Sequence, residues 1–180
     1  MKRIIVLSLC LGLLNGLSAQ EGNSRFNVKF GCGFGFMGSG DMITLSMENE
    51  LNYKINNFFT VAGSFGYGKG ERGVHLHTAY TMGSINVFVS PFRNNKRNSF
   101  RIGGGASIFN HTNVYMKSWD EEHGFTYDLF RKRTTGFNVI LEDEQRIGSH
   151  LLIGVKAYLT AGLAQGGIVS GAMIKAGVIL

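Results

Sequence analysis

From Arg25 to Phe36 the chain alternates without a break. Phe26, Val28, Phe30, Cys32, Phe34 and Phe36 carry one side, and Arg25, Asn27, Lys29, Gly31, Gly33 and Gly35 the other. A period of two sends successive side chains to opposite faces, so this segment is a predicted β-strand. The rule repeats in the next segment, where Ile43, Leu45, Met47, Leu51, Tyr53 and Ile55 oppose Thr44, Ser46, Glu48, Glu50, Asn52 and Lys54, and Asn56-Asn57 makes a turn. A third strand is expected from Phe59 to Tyr67. A fourth spans Val74 to Ser90, but Tyr80 and Met82 are out of step with Ile85, Val87 and Val89, so a bulge at Gly83-Ser84 is expected to restore the register. Pro91 closes it, and a basic polar turn runs on to Asn98.

The fifth strand starts at Ser99 and is expected to end near Val114. From Lys117 to Arg133 the alternation fails and charges of both signs gather, which reads as the longest loop. Phe137, Val139 and Leu141 then oppose Asn138, Glu142 and Glu144 in a sixth strand, and Gly148-Ser149 turns the chain. Leu151 to Leu159 forms a seventh. The eighth sets Ala172, Ile174, Ala176, Val178 and Leu180 against Gly171, Met173, Lys175 and Gly177. Strands of this length cross a hydrocarbon layer when tilted. The expected architecture is therefore all-β, an eight-stranded antiparallel up-and-down transmembrane β-barrel. Tight connections after strands two and six and a long one after strand five match the short periplasmic turns and longer outer loops of such barrels, which puts both termini in the periplasm.

Composition adds a leader to this picture. Lys2 and Arg3, an apolar stretch from Ile4 to Leu14 and Leu17-Ser18-Ala19 have the layout of a cleaved signal peptide over residues 1–19, leaving a barrel domain over residues 20–180. Without Lys2 and Arg3, 16 basic residues face 12 acidic ones. That mild positive excess suits anionic head groups, and it is too scattered for a nucleic-acid surface. Cys32 alone remains after the leader, so no internal disulfide forms. With 26 glycines and a single proline, most glycines lie inside the alternating segments, as a wall of close-packed strands requires.

An eight-stranded barrel can also be a soluble container with its apolar side inward. The polar faces here decide otherwise, because they are rich in glycine and small residues, as a narrow lumen needs. The last segment, ending Ala176-Gly177-Val178-Ile179-Leu180, keeps apolar residues at every second position. In this alternation, turn placement and ending the chain resembles the small outer-membrane β-barrel superfamily of OmpA/OmpX type, departing from it in a final Leu180 where an aromatic residue is usual. The resemblance implies the cell outer membrane as its location. It also implies contact with outer-membrane lipid and lipopolysaccharide, passage through the barrel assembly machinery, and an extracellular protein or glycan as a further partner. The expected role is structural or surface-interacting and non-enzymatic. The alternatives are a narrow porin-like channel for small solutes or ions and, less favoured, a lipid A-modifying enzyme.

Candidate chemistry is sparse. Lys29, Arg101, Lys156 and Lys175 match Glu48, Glu50, Glu142 and Glu144 in number on the inward faces, which predicts a lumen charge network more readily than an ion path or a catalytic carboxylate pair. His75 and His77 share a strand face near Glu71 but lack a further ligand at a telling spacing, so neither a metal nor a cofactor is expected. His111, His123 and His150 are expected in solvent. Ser149-His150 is a poor nucleophile and base, since sequence neighbours are expected to point apart. Trp119, Phe125, Tyr127, Arg131, Lys132 and Arg133 mark the long loop as the candidate interaction surface.

Overall fold

A computed structural model describes residues 25–38, 42–72, 76–92, 97–120, 124–162 and 167–180; residues 1–19, expected to form a leader, lie outside the described residues. Eight strands follow one another: β1 (Phe26–Met37), β2 (Met42–Lys54), β3 (Phe59–Arg72), β4 (Leu76–Val89), β5 (Asn98–Asp120), β6 (Gly124–Ile147), β7 (Leu151–Gly162) and β8 (Ile168–Ile179). Each pairs antiparallel with the next, and β1 pairs with β8, closing the barrel. Closure leaves the wall without a free sheet edge, the condition for a sheet to sit in lipid. The turns follow local chemistry. Asn56 Oδ1 accepts the backbone N–H groups of Phe58 and Phe59, each at 2.8 Å, and fixes the β2–β3 turn. Gly148, at φ 65°, supplies the left-handed residue of the β6–β7 turn.

The barrel inverts the usual burial pattern. Phe34, Ile43, Phe65, Ile85, Phe137, Val155 and Ile174 are exposed on the outer wall, whereas Lys29, Lys156, Lys175, Glu50 and Glu142 are fully buried within. Such a wall is stable only against an apolar surrounding, and the chain is an up-and-down transmembrane barrel.

Two expectations are corrected. No bulge occurs at Gly83-Ser84, because β4 keeps one continuous register with both β3 and β5. Instead Tyr80 and Met82 point inward, opposite in parity to the outward Ile85, Val87 and Val89. Gly68 makes this feasible: the Tyr80 ring lies where any β-carbon at Gly68 would stand. The irregularity sits elsewhere, between Met116 and Ser118 on β5. The segment from Lys117 to Arg133 is not a loop but most of a hairpin, since β5 and β6 stay paired up to Asp120 and Gly124. The longest of the seven connections is then the one between β4 and β5, so the asymmetry of the barrel lies in strand length rather than loop length. Among the described residues β7 pairs with β6 only from Gly136 downward, and β4 with β5 only as far as Tyr115, so the end of the β5–β6 hairpin stands clear of the described wall.

Candidate functional site

The lumen is built by parity. Each inward charge except Glu144 stands one residue from an outward apolar neighbour, so the alternation that greases the wall also aims these groups at the axis. All eight expected network residues meet there. Lys156 Nζ lies 2.5 Å from Glu48 and 3.1 Å from Glu50, and Lys175 Nζ lies 2.7 Å from Glu50 and 3.1 Å from Glu142. Lys29 contacts Glu50 at 3.6 Å and Glu142 at 3.3 Å, and also pairs with Glu144. Nη2 of Arg101 reaches both Glu142 at 2.7 Å and Glu144 at 3.0 Å, with the guanidinium 4.7 Å from the Phe88 ring centre. Shared in this way, every carboxylate compensates more than one cation, and burial is tolerable. Lys175 also reaches Glu48 at 3.5 Å, so Glu48 and Glu50 share Lys156 and Lys175 and are not a free acid–base pair.

Several members were not singled out in the sequence. Asn52 bridges the network, donating to Glu50 at 2.7 Å and accepting from Arg101 at 3.3 Å. Nearer the hairpin end, Ser46 meets the hydroxyls of Tyr80 at 2.8 Å and Tyr158 at 3.3 Å, within a layer that also holds Met37, Met82, Phe109 and Met173. Parity alone would have found Asn52 and Tyr158, two residues beyond Glu50 and Lys156. The space left between the charged and tyrosine layers is a cavity of about 10 Å³ beside Glu48, Lys156 and Tyr158, room for one water.

Outside the lumen the expected chemistry thins out. His75 and His123 lie outside the described residues. His77 approaches Glu71 at 3.5 Å, but Lys69 already holds that carboxylate at 3.2 Å, and no group of three metal-ligating side chains forms among the described residues. His111 is not in solvent: it is buried between Phe109 and Phe130, with ring centres 5.6 and 5.9 Å away, because its parity turns it into the barrel mouth. Ser149 and His150 do touch, contrary to expectation, with Oγ 2.5 Å from Nδ1, since a turn lets neighbours converge where a strand would part them. Both are exposed, and Arg146 donates to the Ser149 carbonyl; no described carboxylate orients the imidazole, so a triad is not assembled.

The hairpin carries the expected interaction residues on two faces. Trp119, Phe125, Tyr127, Arg131 and Arg133 lie on the outward face, in register with one another across the Trp119–Phe125 and Met116–Tyr127 pairs. Lys132 has the opposite parity and sits across from His111.

No protein-family model matches the sequence, and no curated protein matches it. Solved structures do. Neisserial surface protein A, NspA, superimposes with a TM-score of 0.68 at 12% identity, over 89% of this chain and 100% of that one. The fold is that of the small outer-membrane barrels. Ail, the attachment invasion locus protein of Yersinia pestis, matches with a TM-score of 0.60 at 13% identity, over 87% of this chain and 99% of that one. Ail solved in complex with the heparin analogue sucrose octasulfate matches at 0.56 and 15% identity, over 86% of this chain and 98% of that one. At such identities the likeness carries architecture, not ligand.

Proposed function

We propose that the chain is an outer-membrane barrel with a sealed interior that works through its raised β5–β6 hairpin as a surface-interaction protein. Residues 1–19 serve as its export signal, the barrel assembly machinery inserts residues 20–180, and both termini face the periplasm. The observation that carries this reading is the mismatch along β6: the strand has 24 residues, its neighbour β7 has 12, and the excess displays Trp119, Phe125, Tyr127 and Leu129 to solvent. Exposed aromatic rings above the lipid have no burial to gain unless something docks on them. Flat rings flanked by arginines suit sugar faces and their anionic substituents, and the sulfated saccharide bound by Ail gives a concrete ligand class to try.

The test is binding of the folded barrel to immobilised sulfated and phosphorylated glycans. Expected is retention that falls when Trp119, Phe125 and Tyr127 are all replaced by Ala with heat-modifiable gel migration intact; retention unaffected by the triple change would refute the hairpin as the binding surface. The channel reading is opposed by the packed lumen, and steady openings in planar bilayers would restore it.

A further inference from the structure

The outer face of the β5–β6 pair is banded. Proceeding from the turn end, the cross-strand pairs are Ile102–Leu141, Gly104–Val139, Ala106–Phe137 and Ile108–Thr135; then come Asn110–Arg133 and Thr112–Arg131; then Val114–Leu129, Met116–Tyr127 and Trp119–Phe125. A square of four hydrogen-bonding side chains, with Thr135 at its edge, thus interrupts an otherwise apolar column. Its height can be worked out. On β6 the outward residues between Asp143 and Arg133 are Leu141, Val139, Phe137 and Thr135, a separation of ten residues. At about 3.3 Å per residue and a tilt near 40°, that stretch rises about 25 Å, the thickness of the apolar band of an outer-membrane barrel. Asp143 and Arg133 accordingly mark its two margins.

We infer that Arg131 and Arg133, with Asn110 and Thr112 beside them, form a binding site for the phosphate of a lipid head group in the leaflet at the hairpin end. Both arginines are exposed, project from the same face two residues apart, and among the described residues no carboxylate pairs with either; the nearby Asp128 is held by Lys117 at 3.6 Å. A planar guanidinium fork matches the oxygens of a phosphate, and two forks with an amide and a hydroxyl can satisfy several of them at once. The acyl chains of the same lipid would lie on Phe137, Val139 and Ile108 directly below, which is why a lipid phosphate fits here better than a free ion. In the orientation given under Proposed function this leaflet is the outer one, and its phosphate-rich lipid is a phosphorylated glucosamine glycolipid.

This inference rests on that reading for the leaflet alone, so the experiment reads the site in either orientation. The folded barrel would be placed in nanodiscs of phosphatidylcholine containing bisphosphorylated lipid A, and the lipid A retained on the released protein counted by native mass spectrometry. Expected is preferential retention that falls about ten-fold in the R131Q/R133Q variant, the loss due to two charge-assisted contacts at a wet margin. It should be recovered only in part in R131K/R133K, which keeps the charge but loses the planar fork, and unchanged in R97Q at the other end. Equal retention in the wild type and R131Q/R133Q, both running as folded barrels on gels, would overturn the site, and displacement of the lipid by millimolar inorganic phosphate would overturn its assignment to a lipid. Accessibility of the hairpin to protease added outside intact cells reads the orientation separately.

Discussion

The two halves of β6 are one strand in two solvents. From Gly136 to Gln145 it pairs on both edges and separates lipid from a packed interior, and there its buried and exposed positions alternate strictly as far as Glu144. From Gly124 to Thr135 it pairs, among the described residues, with β5 alone, and hardly a side chain is buried. The same backbone conformation thus coexists with a sharp sequence pattern in one half and almost none in the other. The pattern records the contrast between the two sides of the wall, not the strand itself.

The largest loss of stability is expected from damage to the ion pairs of the lower half. Glu142→Gln removes the carboxylate shared by Lys29, Arg101 and Lys175 and leaves buried cations in excess. A loss of about 3–5 kcal/mol is expected, as for breaking other buried pairs, read from urea unfolding of the barrel in lipid vesicles. Next comes the outer wall of the same half. Val139 is exposed near the middle of the lipid-facing stretch, and Val139→Arg should destabilise the inserted barrel by about 2–4 kcal/mol in the same assay. Gly103→Ala should follow at about 1–3 kcal/mol. Its methyl would stand 2.6 Å from the Phe88 ring, which is fully buried under the Arg101 guanidinium, and that crowding outweighs the about 0.5–1 kcal/mol gained by removing a strand glycine.

This contrast explains what the residues revealed in advance. The eight strands, their order and the eight inward charges were legible because each lies where one side of the wall is lipid and the other is lumen. The upper hairpin was read as a loop because water wets both its faces and the irregularity between Met116 and Ser118 shifts the parity besides. Tyr80 and Met82 misled for a different reason. The inward direction of Tyr80 depends on space left by Gly68 on a neighbouring strand, and a hydrophobic residue facing inward looks, from one strand alone, like a slip in register. His111 was wrongly expected in solvent because the barrel mouth that buries it is formed by residues from β5 and β6 together, among them Phe109 and Phe130.

The smallest expected effects complete the comparison, since they repeat the damaging changes in the upper half. Asp128→Asn removes a charge paired with Lys117, but both side chains are about half exposed or more, so a change of about 0.5 kcal/mol or less is expected where the buried counterpart costs several. Leu129→Arg sets the same cation ten residues above Val139 on the same outward face, and water in place of lipid should hold its effect within about 0.5 kcal/mol. Both variants would be unfolded in urea beside Glu142→Gln and Val139→Arg. If Leu129→Arg destabilised the barrel as much as Val139→Arg, the upper hairpin would have to lie in the hydrocarbon layer, and the division of β6 into a membrane half and an exposed half would fail.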